Sequence, residues 1–248
     1  KNLLTMYATL SLLFLILIVI GTFLTLLLFK FNLKALSEAG LDKKIMMWVP
    51  FALIFLLILY LGTTARFIIF TIILIMALFE FSKVIRNEQK NKTQLVFYLF
   101  LFIVSFIHLG LVKLIYPQSS IILLFLIIST VISDVCGFFF GNFIGFHKLP
   151  EVFNKKKSWE GVLGQIVGAL IGVLLIKYFV VHQGNILIFL PIGIGSAIGD
   201  LMNSRAKRLA GIKNWSNFIP GHGGFIDRFC SLAGSSLLTF YYIWLFLN

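Results

Sequence analysis

Residues 121–146 read IILLFLIISTVISDVCGFFFGNFIGF, and the fold class follows from them. A single acid, Asp134, stands among 26 residues that otherwise carry no charge. A helix rises about 1.5 Å per residue, so a run of this length exceeds the roughly 30 Å hydrocarbon core of a bilayer. Inside hydrocarbon the backbone must satisfy its own hydrogen bonds, and a helix does so within one segment. The stretch therefore reads as a transmembrane helix. An acid within such a helix is costly to hold and marks a functional site by default.

Outward from this helix the chain keeps the same character. Of its 248 residues 60% are hydrophobic and only 12% charged, with a mean hydropathy of +1.03. That leaves too little polar surface for a water-soluble domain. Seven further apolar runs, 3–29, 45–61, 67–81, 95–115, 162–181, 186–202 and 229–247, bring the expected spans to eight. The expectation is an all-α polytopic transmembrane helix bundle, a single integral membrane domain over 1–248. Runs 45–61 and 67–81 are short and parted only by Gly62, Thr63, Thr64, Ala65 and Arg66, which suits a tight helical hairpin. Run 3–29 is too long for a signal-peptide core and ends on Lys30, so it is expected to remain as a span. Gly161, Gly164, Gly168 and Gly172 recur at helical spacing, a small-residue face that lets another backbone come close. Cys136 and Cys230 form no CxxC or disulfide pattern and read as packing residues.

Charge alternates along the connections. Loops 30–44, 82–94 and 147–161 and segment 202–228 hold 17 of the 21 Lys and Arg, while the turns at 62–66, 116–120 and 182–185 are nearly bare. The positive-inside rule then puts the four basic segments in the cytoplasm and both termini outside. The formal net charge of +12 points to anionic lipid or phosphate partners. With no soluble basic domain, nucleic acid is not an expected partner.

A polar island follows at 199–231, GDLMNSRAKRLAGIKNWSNFIPGHGGFIDRFCS. Asp200, Ser204, Lys207 and Arg208 fall at i, i+4, i+7 and i+8, one face of a helix. Lysines and arginines that snorkel to headgroups explain the bases, but not an acid and a hydroxyl aligned with them. A carboxylate among cations suits a metal-bridged phosphate. The turn Ile219-Pro220-Gly221-His222-Gly223-Gly224 is free of side-chain bulk, and its backbone N–H groups are placed to converge on an anion. Lys213 precedes this turn, and Asp227 and Arg228 follow it. Asp200 and Asp227 are the natural metal-ligand pair, hard oxygen donors that leave positions for substrate phosphates and water.

A second cluster lies upstream. It begins at Asp134 and passes through Gly141, Gly145, His147 and Lys148 to Lys155-Lys156-Lys157-Ser158-Trp159-Glu160-Gly161. The lysines also obey the positive-inside rule, and Trp159 also suits an interfacial anchor. Their fixed order calls for more than orientation.

These residues resemble a known family. SRAKRLAGIKNWSNFIPGHGGFIDRFCS is similar to the signature of the phosphatidate cytidylyltransferases, or CDP-diacylglycerol synthases. Ser204, Lys207, Arg208, Lys213, Pro220, Gly221, His222, Gly223, Gly224, Asp227 and Arg228 all match it, and 134–161 resembles that family's second characteristic region. Residues 121–248 correspond to the catalytic half, whereas 1–120 agree only in being apolar, variable spans. Asn203, Asn214 and Cys230 stand where the signature carries acids, and Asn154-Lys155 replaces a Ser-Pro.

The resemblance implies transfer of a cytidylyl group from CTP to phosphatidic acid, giving CDP-diacylglycerol and pyrophosphate in phospholipid biosynthesis. It implies Mg2+ on Asp200 and Asp227, with room for a second cation. It assigns Lys207 and Arg208 to catalysis with those acids. Ser204, Lys213, Gly221, His222, Gly223, Gly224, Arg228, Asp134, Lys156, Lys157, Ser158 and Glu160 are then expected to bind substrate. It also implies a homodimer in a bacterial inner membrane, with the site facing the cytoplasm. The three neutralised acids leave two alternatives open, a different lipid phosphate as acceptor or a weakened enzyme that binds nucleotide or lipid phosphate.

Overall fold

A computed structural model describes residues 3–38, 41–60, 63–87, 90–115, 119–154, 157–182, 184–219, 221 and 223–247. Nine α-helices run through these residues: α1 (Leu3–Leu28), α2 (Leu33–Glu38), α3 (Leu41–Tyr60), α4 (Thr63–Asn87), α5 (Lys92–Ile115), α6 (Ser119–Phe143), α7 (Trp159–Leu175), α8 (Phe189–Leu209) and α9 (Phe225–Phe246). A wide π-helical turn, Ile176–Val181, prolongs α7, and a 3-10 turn, Ile186–Ile188, leads into α8. Among the described residues there is no strand beyond two isolated antiparallel bridges.

Among the described residues, each of the eight apolar runs falls largely within a helix. Seven helices, α1 and α4 to α9, are long and apolar enough to cross a membrane. The run at 45–61 falls in α3, whose described apolar stretch, Ile45–Ile54, is shorter than a full span and contains Pro50. The link at 61–62 lies outside the described residues. The six-residue α2 had no apolar signature and was not expected.

Helix α7 starts where Ser158 caps it, its hydroxyl accepting the Gly161 N–H at 3.2 Å. Its glycine face packs on α6. A Cβ at Gly164, Gly168 or Gly172 would come within 2.6–2.8 Å of atoms of Phe140, Ile132, Cys136, Ser133 or Ser129. The small-residue stripe is thus used inside the chain, where it brings two backbones together. Helices α8 and α9 meet in the same way, Gly195 against Gly234 and Ser235, and Gly199 against Cys230. The main core threads α5 to α9 around Leu109, Phe125, Leu126, Val173, Ile192 and Phe240. A smaller cluster of Ala77, Phe81, Leu95, Ala206, Trp215 and Ile226 sits beneath the polar end.

The two ends of the bundle differ in charge. At one end Asn91 donates to the Leu209 carbonyl at 2.8 Å, Lys157 pairs with Asp200, and Lys207 pairs with Asp227. Three of the four basic segments therefore gather there. At the other end Arg66 reaches Ser120 at 3.2 Å, and Asn185 reaches Tyr242 at 3.3 Å. The turns poor in charge meet at that end.

Gly168→Leu should destabilise the bundle by about 1–3 kcal/mol, the usual cost of overpacking. Leu163→Ala, on the exposed side of the same helix, should leave stability nearly unchanged. Thermal unfolding of the detergent-solubilised protein measures both.

Candidate functional site

The polar end is built around the N-terminus of α9. The first amides of any helix lack intrahelical acceptors and must find others. Here carboxylates provide them. Asp227, in the first turn of α9, accepts from the Gly224 N–H at 3.1 Å and the Trp215 N–H at 3.0 Å through Oδ2. Its Oδ1 accepts from the Lys207 ammonium at 2.5 Å. The Asp227 side chain is 1% exposed, so this donor set replaces nearly all of its water. Gly223 has φ +82°, and a Cβ there would stand 2.8 Å from Asp227 Oδ2. Only glycine meets both demands without strain.

The turn closes on itself. Ile219 and Gly223 exchange backbone hydrogen bonds of 2.9 and 3.1 Å. The Gly223 and Gly224 amides, expected to face an anion, are engaged inside the protein. His222 and Pro220 lie outside the described residues, as do Lys155 and Lys156. Gly221 is exposed, with φ +72°.

Asp200, on α8, pairs with Lys157, which stands just before the cap of α7. The Asp200 side chain is 35% exposed, so this carboxylate is open to solvent while that of Asp227 is not. Asp134 is half-buried on α6. Its Oδ1 accepts from Gln165 Nε2 at 3.2 Å and Ser196 Oγ at 3.1 Å, and Ser231 also hydrogen-bonds its carboxylate. Asp200 and Arg228 lie close enough to act on Asp134 electrostatically. Cys230, buried on α9, lies within electrostatic reach of Asp134, Asp200, Lys207 and Arg228. The structure therefore draws the upstream acid, the acids of the island and its bases into one neighbourhood.

Ser204 is buried on α8, whereas Arg208, Lys213 and Arg228 are exposed. Ser158 and Glu160 have local partners. Ser158 caps α7, and Glu160 accepts the His147 backbone N–H at 3.1 Å with the His147 ring Nδ1 at 2.5 Å. With the Leu149–Lys157 and His147–Trp159 backbone bonds, these contacts shape the loop that delivers Lys157 to Asp200.

One contributor, Glu80, escaped the sequence reading, and Asn203 entered it only as a neutral replacement for an acid. Glu80, on α4, is 4% exposed and accepts from Ser216 Oγ at 2.6 Å, from the Phe225 N–H at 2.9 Å and from the Ile226 N–H at 3.2 Å. Its signal was present: like Asp134, it is an acid inside an apolar run. Asn203 accepts the Trp215 indole N–H at 2.6 Å, and Trp215 stacks on Phe81 with ring centroids 4.9 Å apart. A neutral residue at 203 thus has a role in the floor of the site.

A bundle of membrane-length apolar helices, with acids and lysines paired at one end, defines a polytopic integral membrane protein with a charged polar end. The chain belongs to the cytidylyltransferase family, whose model matches residues 2–246. It is 33% identical over 129 residues to a phosphatidate cytidylyltransferase of Mycobacterium bovis, covering 50% of this chain and 42% of that protein. It is 35% identical over 122 residues to the phosphatidate cytidylyltransferase of Haemophilus influenzae, covering 46% and 42%. The match to that of Brucella suis is 33% over 125 residues, covering 49% and 46%. Each alignment thus spans less than half of the relative's length.

Lys207→Met and Asp227→Asn should each destabilise the protein, because each strands a partner away from water. The double variant should lose less than the sum of the two, with a coupling of about 0.5–3 kcal/mol. A double-mutant cycle by denaturant unfolding in detergent checks this.

Proposed function

We propose that this protein transfers a cytidylyl group from CTP to phosphatidic acid, releasing pyrophosphate and forming CDP-diacylglycerol. We further propose that it works at the cytoplasmic face of a bacterial inner membrane. The reading is carried by one observation: a chain of this family gathers Lys157–Asp200 and Lys207–Asp227 at the basic end of an apolar bundle. The names of its relatives support the substrates, and the gathering of basic loops at that end supports the orientation.

The chemistry suits these residues. A lipid phosphate oxygen attacks the α-phosphorus of CTP, and a new P–O bond forms. The bond from the α-phosphorus to the bridging oxygen breaks, and pyrophosphate leaves with the electron pair. The nucleophile is ionised at neutral pH, so no strong base is required. The barrier lies in bringing two polyanions together, and positioned cations lower it. Lys157 and Lys207 are delivered by helix termini, and their ammonium groups neutralise phosphate oxygens when substrate enters. Exposed Arg208, Lys213 and Arg228 receive the triphosphate and the lipid headgroup. Asp134, fixed by Gln165, Ser196 and Ser231, adds negative charge within electrostatic reach of Arg228.

The donors also suit Mg2+. Each of two carboxylates already holds a positive charge, and Mg2+ is commonly bound by one or two carboxylates together with substrate phosphates. Asp200, with its partly exposed side chain, would be its principal ligand, and Asp227, whose oxygens are held by Lys207 and two amides, would be the second. When bound, the ion supplies charge neutralisation on the triphosphate.

Purified protein in detergent, given CTP, Mg2+ and phosphatidic acid, should yield CDP-diacylglycerol and pyrophosphate, identified by mass. Asp200→Asn should lower turnover at least about 100-fold with the thermal midpoint preserved. Absence of product from the wild-type protein with phosphatidic acid would refute the proposed acceptor.

A further inference from the structure

We infer that Glu80 is a positioning residue for the site. It acts from α4, outside the catalytic half, by holding the N-terminus of α9 and hence Asp227 and Arg228. The inference rests on the proposed cytidylyl transfer for its functional meaning, but its structural part stands alone.

Glu80 is buried in an otherwise apolar stretch, Ala77-Leu78-Phe79-Glu80-Phe81. Among the described residues it forms no ion pair. Its countercharge is the positive end of the α9 dipole, which favours a carboxylate within the first turn. One oxygen takes the Phe225 N–H and the Ser216 hydroxyl, and the other takes the Ile226 N–H. A Cβ at Gly224 would come within 2.5–2.7 Å of this carboxylate, so the glycine there makes room for it.

The residue that follows completes the grip. Phe81 stacks on Trp215, and the Trp215 N–H donates to Asp227. Adjacent residues of α4 thus hold the 215–227 segment through its hydroxyl, its amides and its indole ring. Glu80 and Asp227 together take up the amides of Gly224, Phe225 and Ile226. An incoming phosphate therefore finds this helix terminus already filled by protein, and meets the Lys and Arg side chains instead. The function of Glu80 is to set where those side chains stand.

The test combines kinetics with a measurement that needs no turnover. Glu80→Ala leaves the Phe225 and Ile226 amides without acceptors, so hydrogen exchange over 224–228 should rise at least about tenfold while the core of α6 and α7 stays protected. In the CTP, Mg2+ and phosphatidic acid assay kcat should fall about 100-fold, the scale set by misplacement near 1 Å, with KM for both substrates moving less than about threefold. Glu80→Gln keeps one oxygen acceptor and should recover much of both effects. Should Glu80→Ala fail to fold, Ser216→Ala removes one donor to Glu80 while leaving the acceptors of the Phe225 and Ile226 amides in place and freeing only the exposed Phe218 N–H, and should shift exchange and kcat the same way by about threefold. The inference is overturned by unchanged exchange at 224–228, or by kcat within about twofold of wild type per folded molecule. If the wild-type protein makes no CDP-diacylglycerol, the proposed function fails, and exchange alone decides whether Glu80 holds this backbone.

Discussion

A carboxylate withdrawn from water must be given donors, and the polar end of this bundle is organised by that demand. Asp227 and Glu80 are both almost wholly buried. Between them they accept from three amides of the α9 N-terminus and its approach, from the Trp215 amide, from the Ser216 hydroxyl and from the Lys207 ammonium. Unpaired, either charge would cost several kcal/mol. Paired in this way, they fix the start of α9 against α4 and α8. The position of every charged side chain on the first turn of α9 follows.

The same demand separates the acids into two kinds. Asp227 has both oxygens engaged and almost no exposure, so it organises the backbone around it. Asp200 is partly exposed, with Lys157 at one oxygen, so it remains approachable. Asp134 stands between these extremes, held by an amide and hydroxyls from three neighbouring helices. The polar end thus holds both kinds: buried acids that place the cations around them, and one that stays open to solvent.

The departures from the family signature acquire a physical meaning here. Asn203 holds the Trp215 indole, and Trp215 in turn donates to Asp227. Cys230 is buried among two acids and two bases, where its backbone also lies against Gly199. A neutral side chain at that point adds no further negative charge beside Asp134 and Asp200. Asn214 is exposed at the edge of the same turn, and nothing in the structure explains its neutrality.

Much was legible in the sequence because a bilayer imposes a simple code. Run length specified the long helices, clustered lysines and arginines marked three loops that gather at one end, and the glycine period in α7 specified a close helical contact. The order of acids, bases and glycines at 134–161 and 199–231 specified the candidate site and its family. None of this required knowing which helix touches which. Partnership was decided only in three dimensions: that the α7 glycines meet α6, that Lys157 finds Asp200, and that Glu80 reaches across 145 residues to the Phe225 amide. A hydrogen bond depends on distance and direction between groups remote along the chain, and linear spacing encodes neither.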